Sequence, residues 1–300
     1  MQLGISLPNT LVPELNRGLF LDWARIADDA GFHTFGTIDQ PDYDSWDPLT
    51  SLAAAAAVTE RVRLATTILQ LPNRNEVLVA KQAAVIDRLS GGRLTLGVGI
   101  GSRENDYKVF ASRFANRGKK LERQLRKIRR VWRAARKATA TEGVNGPAPL
   151  QKPLPPIWIG AQSEAGIRRA AELGDGYIFG VAGMAQAAQR VPQIRAMLDE
   201  KKAAKFTVAG IAYCAVGDDP VGALSAAAKT INRYYRGSPP RPIDQLVHHG
   251  PIEVIAQAMR EYEEAGLDLV ILIPAIPDTK QVSLIAEHVL PAYRVPATRR

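Results

Sequence analysis

The sequence predicts one α/β domain, a (β/α)₈ TIM barrel with insertions over its C-terminal mouth. Three observations carry this. Eight short apolar runs recur along 300 residues, helical patterns separate them, and the chain opens on a strand and closes on a helix. Strand–helix alternation implies parallel βαβ units, and eight such units favour a closed barrel over an open sheet. Barrels of this kind reach this length as one unit, so residues 1–300 read as a single domain.

The strand-like runs cover 3–7, 34–38, 62–69, 93–100, 157–160, 176–179, 207–216 and 268–273. Runs such as Leu94-Thr95-Leu96-Gly97-Val98 fit strands covered on both faces. Helical patterns fill 18–30, 48–59, 76–89, 116–137, 164–173, 184–202, 220–235 with 251–265, and 279–289. Punctuation agrees. Asp47-Pro48 pairs an N-cap with proline at the first helical position. Gly31 and Gly266 follow helices as stops, and Gly91-Gly92 turns the chain into the fourth strand. Two segments exceed a normal connection. Residues 138–155 read as a loop or short hairpin, and 236–250 as a second insertion, and such segments often serve as lids.

Composition narrows the class. Apolar residues make up 46% and charged residues 23%, an ordinary globular balance. The start, Met1 to Ser6, reads as a strand rather than a signal peptide, and no apolar run approaches the ~20 residues of a membrane helix. The expectation is a cytoplasmic protein that spans no membrane. The one cysteine, Cys214, lies in an apolar run and reads as a buried thiol. The net charge of +9 concentrates in 113–137, where Leu121, Leu125, Ile128, Trp132 and Ala135 mark a buried stripe under a basic outer face. That face fits a solvated helix or attraction of a phosphate-bearing cofactor. No aromatic platform, zinc spacing or helix-turn-helix pattern accompanies it, so nucleic acid is not the expected partner. The four histidines form no metal-ligand spacing, and no Gly-x-Ser-x-Gly elbow is present.

Barrel sites form at the C-terminal strand ends. After strand two come Asp39 and Gln40, polar residues at the mouth, then Trp46, which either walls a pocket or packs on a neighbouring loop. Gln70 follows strand three. Gly97-Val98-Gly99-Ile100-Gly101 resembles part of a dinucleotide fingerprint but lacks its full pattern, while glycine at a strand end also lets a flat ring approach. After strand five, Gly160-Ala161-Gln162-Ser163 places small residues and a capping serine at a helix start. This is either a plain N-cap or an anion site suited to phosphate. His248 and His249 lie in the second insertion, within conceivable reach of the mouth.

Several motifs together resemble the luciferase-like monooxygenase superfamily. They are Val62 to Leu69, Pro72, Lys81-Gln82, Asp87-Arg88-Leu89-Ser90-Gly91-Gly92-Arg93 through Gly99, Pro155 to Gly160 with Ser163, and Gly174-Asp175-Gly176-Tyr177. The resemblance implies FMN or the deazaflavin coenzyme F-420 as cofactor, a small organic substrate, and a homodimer. For an FMN enzyme it also implies a separate flavin reductase. It implies a non-proline cis peptide at Thr67-Ile68 backing the ring, a cofactor wall of Gly99 to Gly101 with Asn105, and phosphate at Gln162 and Ser163. Many members carry Asp-His or Glu-His where this chain has Asp39-Gln40, and glutamine exchanges no proton at neutral pH. Ser102 replaces the glutamate of the deazaflavin sugar-phosphate dehydrogenases, so that activity is not expected. A non-catalytic flavin-binding protein of the same fold is the alternative.

Overall fold

The computed structural model describes every residue except 11, 13–14, 139–145, 182–183 and 294–300. Ten strands follow in chain order: β1 (Gln2–Ser6), β2 (Thr34–Thr37), β3 (Arg63–Thr66), β4 (Leu69–Gln70), β5 (Leu94–Gly99), β6 (Ile157–Gly160), β7 (Gly176–Phe179), β8 (Thr207–Val216), β9 (Val247–Gly250) and β10 (Leu269–Pro274). All pair in parallel. Eight of them close a ring in the order β1, β2, β3, β5, β6, β7, β8, β10 and back to β1, which is the predicted (β/α)₈ barrel.

Helices cover the outside: α1 (Arg17–Ala30), α2 (Pro48–Ala56), α3 (Glu76–Leu89), α4 (Glu104–Val109), α5 (Arg117–Lys137), α6 (Glu164–Leu173), α7 (Met184–Arg195), α8 (Glu200–Ala203), α9 (Pro220–Tyr234), α10 (Ile243–Leu246), α11 (Ile252–Glu264) and α12 (Thr279–His288). Among the described residues no helix is long and apolar enough to cross a membrane, and no group of three His, Cys, Asp or Glu residues is placed to hold a metal.

Period-two alternation divides the strand residues between two cores. Leu64, Ile157, Ile159, Val208 and Val270 pack outward under the helices. Ala65, Trp158, Ile178, Ala209, Ile211, Leu269 and Ile271 fill the barrel interior. Cys214 is buried in the outer layer, where burial pushes its thiol up, as expected of an inert core cysteine.

The elements depart from the sequence reading in four places. The third run is two strands, because the Thr67-Ile68 peptide is cis and turns the chain between β3 and β4; β4 then pairs with the end of β5. The helix expected over 184–202 is two, since the Asp199 side chain caps the Lys202 amide at 2.8 Å and starts a new turn.

The described part of the first insertion, 146–155, contains no hairpin and lies under the N-terminal face, not over the mouth. There Leu150 and Gln151 donate to Asp87, and Gln151 Nε2 reaches the Leu94 carbonyl at the start of β5. A connection from a helix back to a strand falls at that end by topology. The second insertion is at the mouth but is not structureless. It contains α10 and β9, and β9 extends the sheet beside the end of β8, Tyr213 opposite Val247 through Val216 opposite Gly250.

Candidate functional site

A cavity of about 340 Å³ opens at the C-terminal ends of β3, β5, β6 and β7. Its floor is apolar, formed by Ile68, Ile178, Phe179 and Ile211. Ile68 fits there because Gly99 and Gly160 carry no side chain. A Cβ at Gly99 would lie 2.6 Å from Ile68 Cδ1, and one at Gly160 2.8 Å from Ile68 Cγ2. The floor therefore depends on two glycines and the cis turn that delivers Ile68 to them.

The opposite end is polar and cationic. Ser163 N-caps α6, its Oγ accepting from Gly166 N at 3.3 Å, and its hydroxyl proton remains available to a ligand. Arg190 donates to the Gln162 carbonyl (3.0 Å), and Tyr177 donates to the Ala161 carbonyl (2.8 Å), so the turn is held from both sides. Burial pushes the Tyr177 phenol up to about 12, against the opposing pull of Arg190, and it stays a neutral donor. Arg117 and Arg169 complete this end. Arg117 stacks 3.7 Å from the Phe114 ring centroid, and Arg169 is steadied by Glu122 at 3.0 Å. No carboxylate lines the cavity among the described residues. A helix N-terminus beside two guanidinium groups makes an anion site.

The expected residues divide clearly. Thr67, Ile68, Gly99, Gly101, Gly160, Ala161, Gln162 and Ser163 all line this one cavity. Gln70 lies behind it, buried, where a Cβ on Gly101 would meet its Oε1 at 2.3 Å; its amide donates to Asp106 at 2.7 Å. Asn105 is exposed on α4 and does not reach the cavity. The glycines from Gly97 to Gly101 serve strand packing and the cavity wall; no dinucleotide turn is formed.

At the mouth, Asp39 is buried in a structural network. It accepts from Arg74 (2.9 Å) and from the Gln70 amide (2.9 Å), and Arg74 also holds Asp47 at 3.0 Å. Burial pushes the Asp39 carboxyl up, with Arg74 and Gln70 pulling against it. Burial works against the Arg74 cation too, but the two carboxylates outweigh it and raise its pKa. Gln40 donates to the Tyr234 hydroxyl and accepts from Arg103, both at 2.5 Å. The Arg103 guanidinium lies 4.4 Å from the Tyr43 ring centroid, next in sequence to Ser102 on the cavity rim. Trp46 packs on Phe20 of α1 with ring centroids 5.4 Å apart, away from the cavity. His248 meets Tyr262 and His249 meets the Pro220 carbonyl, and neither histidine lines the cavity.

Sequence reasoning missed Arg117, Arg169, Arg103 and Tyr234 as site residues. The first two come from different helices, and only their position in a helix's first turn or on a basic face could have drawn attention to them.

The site thus joins an apolar floor to a helix N-terminus and two guanidinium groups at the strand ends of a parallel barrel. The chain belongs to the luciferase-like monooxygenase family, whose model matches residues 1–269. That family comprises flavin- and deazaflavin-dependent oxidoreductases and monooxygenases. The chain is 30% identical over 169 residues, 51% of its own length and 48% of the relative's, to a Mycobacterium tuberculosis protein named "Putative coenzyme F420-dependent oxidoreductase". It is 26% identical over 152 residues, 47% of this chain and 42% of the other, to the oxygenase component of flavin-dependent trigonelline monooxygenase from Acinetobacter baylyi. The chain thus matches about half the length of these curated relatives. Its fold is that of monooxygenase RslO1 from Streptomyces bottropensis, with a TM-score of 0.78, 24% identity and coverage of 98% of this chain and 100% of that one.

Proposed function

We propose that the protein is an oxidoreductase that holds coenzyme F-420 in the strand-end cavity and transfers hydride between it and a small organic substrate. One observation carries the reading. The cavity joins an apolar floor to an anion site of Ser163, Arg117 and Arg169, with no carboxylate among the described residues that line it. The floor suits a flat ring, and Gln162 and Ser163 would hold the phosphate.

The choice of deazaflavin over FMN rests on charge beyond the phosphate. Arg117 begins α5, and Lys119, Lys120 and Arg123 follow it on the same helix. Coenzyme F-420 continues past its phosphate into an acidic glutamate tail, which this basic face would attract. When bound, that coenzyme supplies the hydride chemistry, and the protein supplies position and a dry pocket. Gln40, fixed between Tyr234 and Arg103, would orient the substrate by hydrogen bonds. Asp39 would act through Gln70 and Arg74 to position the mouth. A homodimer is part of this reading.

A second reading is FMN-dependent monooxygenation with a separate reductase, favoured by the resemblance to an oxygenase component. Turnover in two atmospheres separates the two. Anaerobic oxidation of reduced coenzyme F-420 that depends on an added carbonyl or alkene supports the first. Oxygen-dependent consumption of reduced FMN with an oxygenated product supports the second. Tight cofactor binding with neither activity would make this a non-catalytic flavin-binding protein.

A further inference from the structure

A larger cavity lies at the opposite end of the barrel. It has a volume of about 780 Å³ and is lined by the first residues of the strands, including Gln2, Arg63, Thr95, Thr207 and Leu269. It shares no lining residue with the cofactor cavity.

Its charge is unbalanced. Among the described residues, seven lysine and arginine side chains line it against one carboxylate, Asp175, and that carboxylate is already held by Arg129 at 3.0 Å. Arg133, Lys137, Lys152 and Lys205 make no side-chain hydrogen bond or ion pair among the described residues. Arg136 is fixed on the Pro149 and Gln151 carbonyls, which orient it without cancelling its charge. Arg63 is the least expected member. Two residues before the interior Ala65, it points into the barrel floor, where the side chain's one hydrogen bond among the described residues is a 3.3 Å contact to the neutral amide of Gln151. Asp87 stands behind Gln151, and its oxygens are taken by the Leu150 and Gln151 amides. A guanidinium carries five donors, so most of Arg63's capacity faces the cavity unused.

Cations held close together without counter-ions repel one another, and a fold keeps such an arrangement at a cost unless an anion occupies it. Guanidinium forks match phosphate geometry. Part of the remaining wall, Trp158, Leu154 and Pro155, is apolar and suits a flat organic body, beside the polar Gln2, His33, Thr95 and Thr207. We propose that this N-terminal face is a second binding site, for a small molecule carrying two or more phosphate groups. It reads anions at one end of the barrel while the cofactor site works at the other.

Calorimetric titration of the full-length protein with ADP, pyrophosphate and inorganic phosphate tests this. ADP and pyrophosphate are expected to bind saturably and more tightly than phosphate, with FMN or coenzyme F-420 present or absent. Equal affinity for pyrophosphate and ADP would assign the site to the polyphosphate group alone, and tighter ADP binding would add a contact to the base. Arg63→Gln should weaken binding roughly tenfold or more, the usual scale for a lost charge-assisted contact. The exposed pair Arg133→Gln with Lys205→Gln should do so without altering the melting temperature, which covers misfolding of the Arg63 variant. Absence of saturable binding, displacement by FMN, or undiminished binding in both variants would overturn the proposal.

Discussion

Ser163 allows the sharpest test of a single residue. Aspartate caps a helix as well as serine does, so Ser163→Asp preserves α6 while placing a negative charge at the phosphate end of the cavity. Cofactor affinity should fall by roughly tenfold or more, with little change in melting temperature; unchanged affinity would remove the phosphate from this turn. Gln40→Ala should lower turnover more than cofactor affinity, because Gln40 bonds Tyr234 and Arg103 at the rim and does not line the floor. Asp39→Asn leaves Arg74 half-paired in a buried setting, at a cost of about 3–5 kcal/mol for a broken buried ion pair. Chemical denaturation measures that loss, and a loss below 1 kcal/mol would mean the pair behaves as a surface contact. At this scale the strand-end residues were legible, because a parallel barrel sends whatever follows a strand to one face. Asn105, expected in the cofactor wall, does not line the cavity, and Gln70 lies behind it, for a related reason. Proximity along the chain does not say which way a side chain turns, and α4, too short to show a period, carries Asn105 outward.

Between elements, the packing of β3 against β5 is the tightest point. A Cβ on Gly97 would lie 1.9 Å from the Thr66 carbonyl oxygen, and backbone cannot yield as a side chain can. Gly97→Ala should therefore destabilise the protein by at least the 1–3 kcal/mol typical of overpacking. It should also loosen the strand-end cavity, since Ile68 leaves the same strand junction. A variant with wild-type stability would show that the strands have more freedom than their contact implies. The eight barrel strands were readable from apolar runs and glycine stops. The cis turn between β3 and β4 was foreseen only through family resemblance. β9 escaped notice because Val247-His248-His249-Gly250 has neither length nor alternation; its pairing with β8 is imposed by the tertiary fold.

For the whole molecule, charge is distributed to both ends of one barrel, and the floor is where it meets titration. Burial first, then Arg63, holds the His33 imidazole down to about 4 from an ordinary value of 6.5. The folded chain thus prefers the neutral ring. Its contribution to stability is present above the unfolded value and is lost as pH falls from about 6.5 through about 4. In His33→Asn that contribution is absent, so the stability advantage of the unsubstituted protein over the variant should shrink across this window. A constant difference from neutral pH downward would contradict it. The net charge of +9 was visible in the sequence, but its division between a cofactor end and a floor was not. One helix, α5, supplies Arg117 to the first and Arg133 and Lys137 to the second, and only closure of the barrel assigns its two ends.

The most direct measurement is a parallel fluorescence titration of the purified apoprotein with FMN and with coenzyme F-420. Saturable one-site binding in the strand-end cavity is expected, tighter for the deazaflavin and weakened by Ser163→Asp. Binding of neither cofactor would leave the barrel standing and contradict the assignment of that cavity.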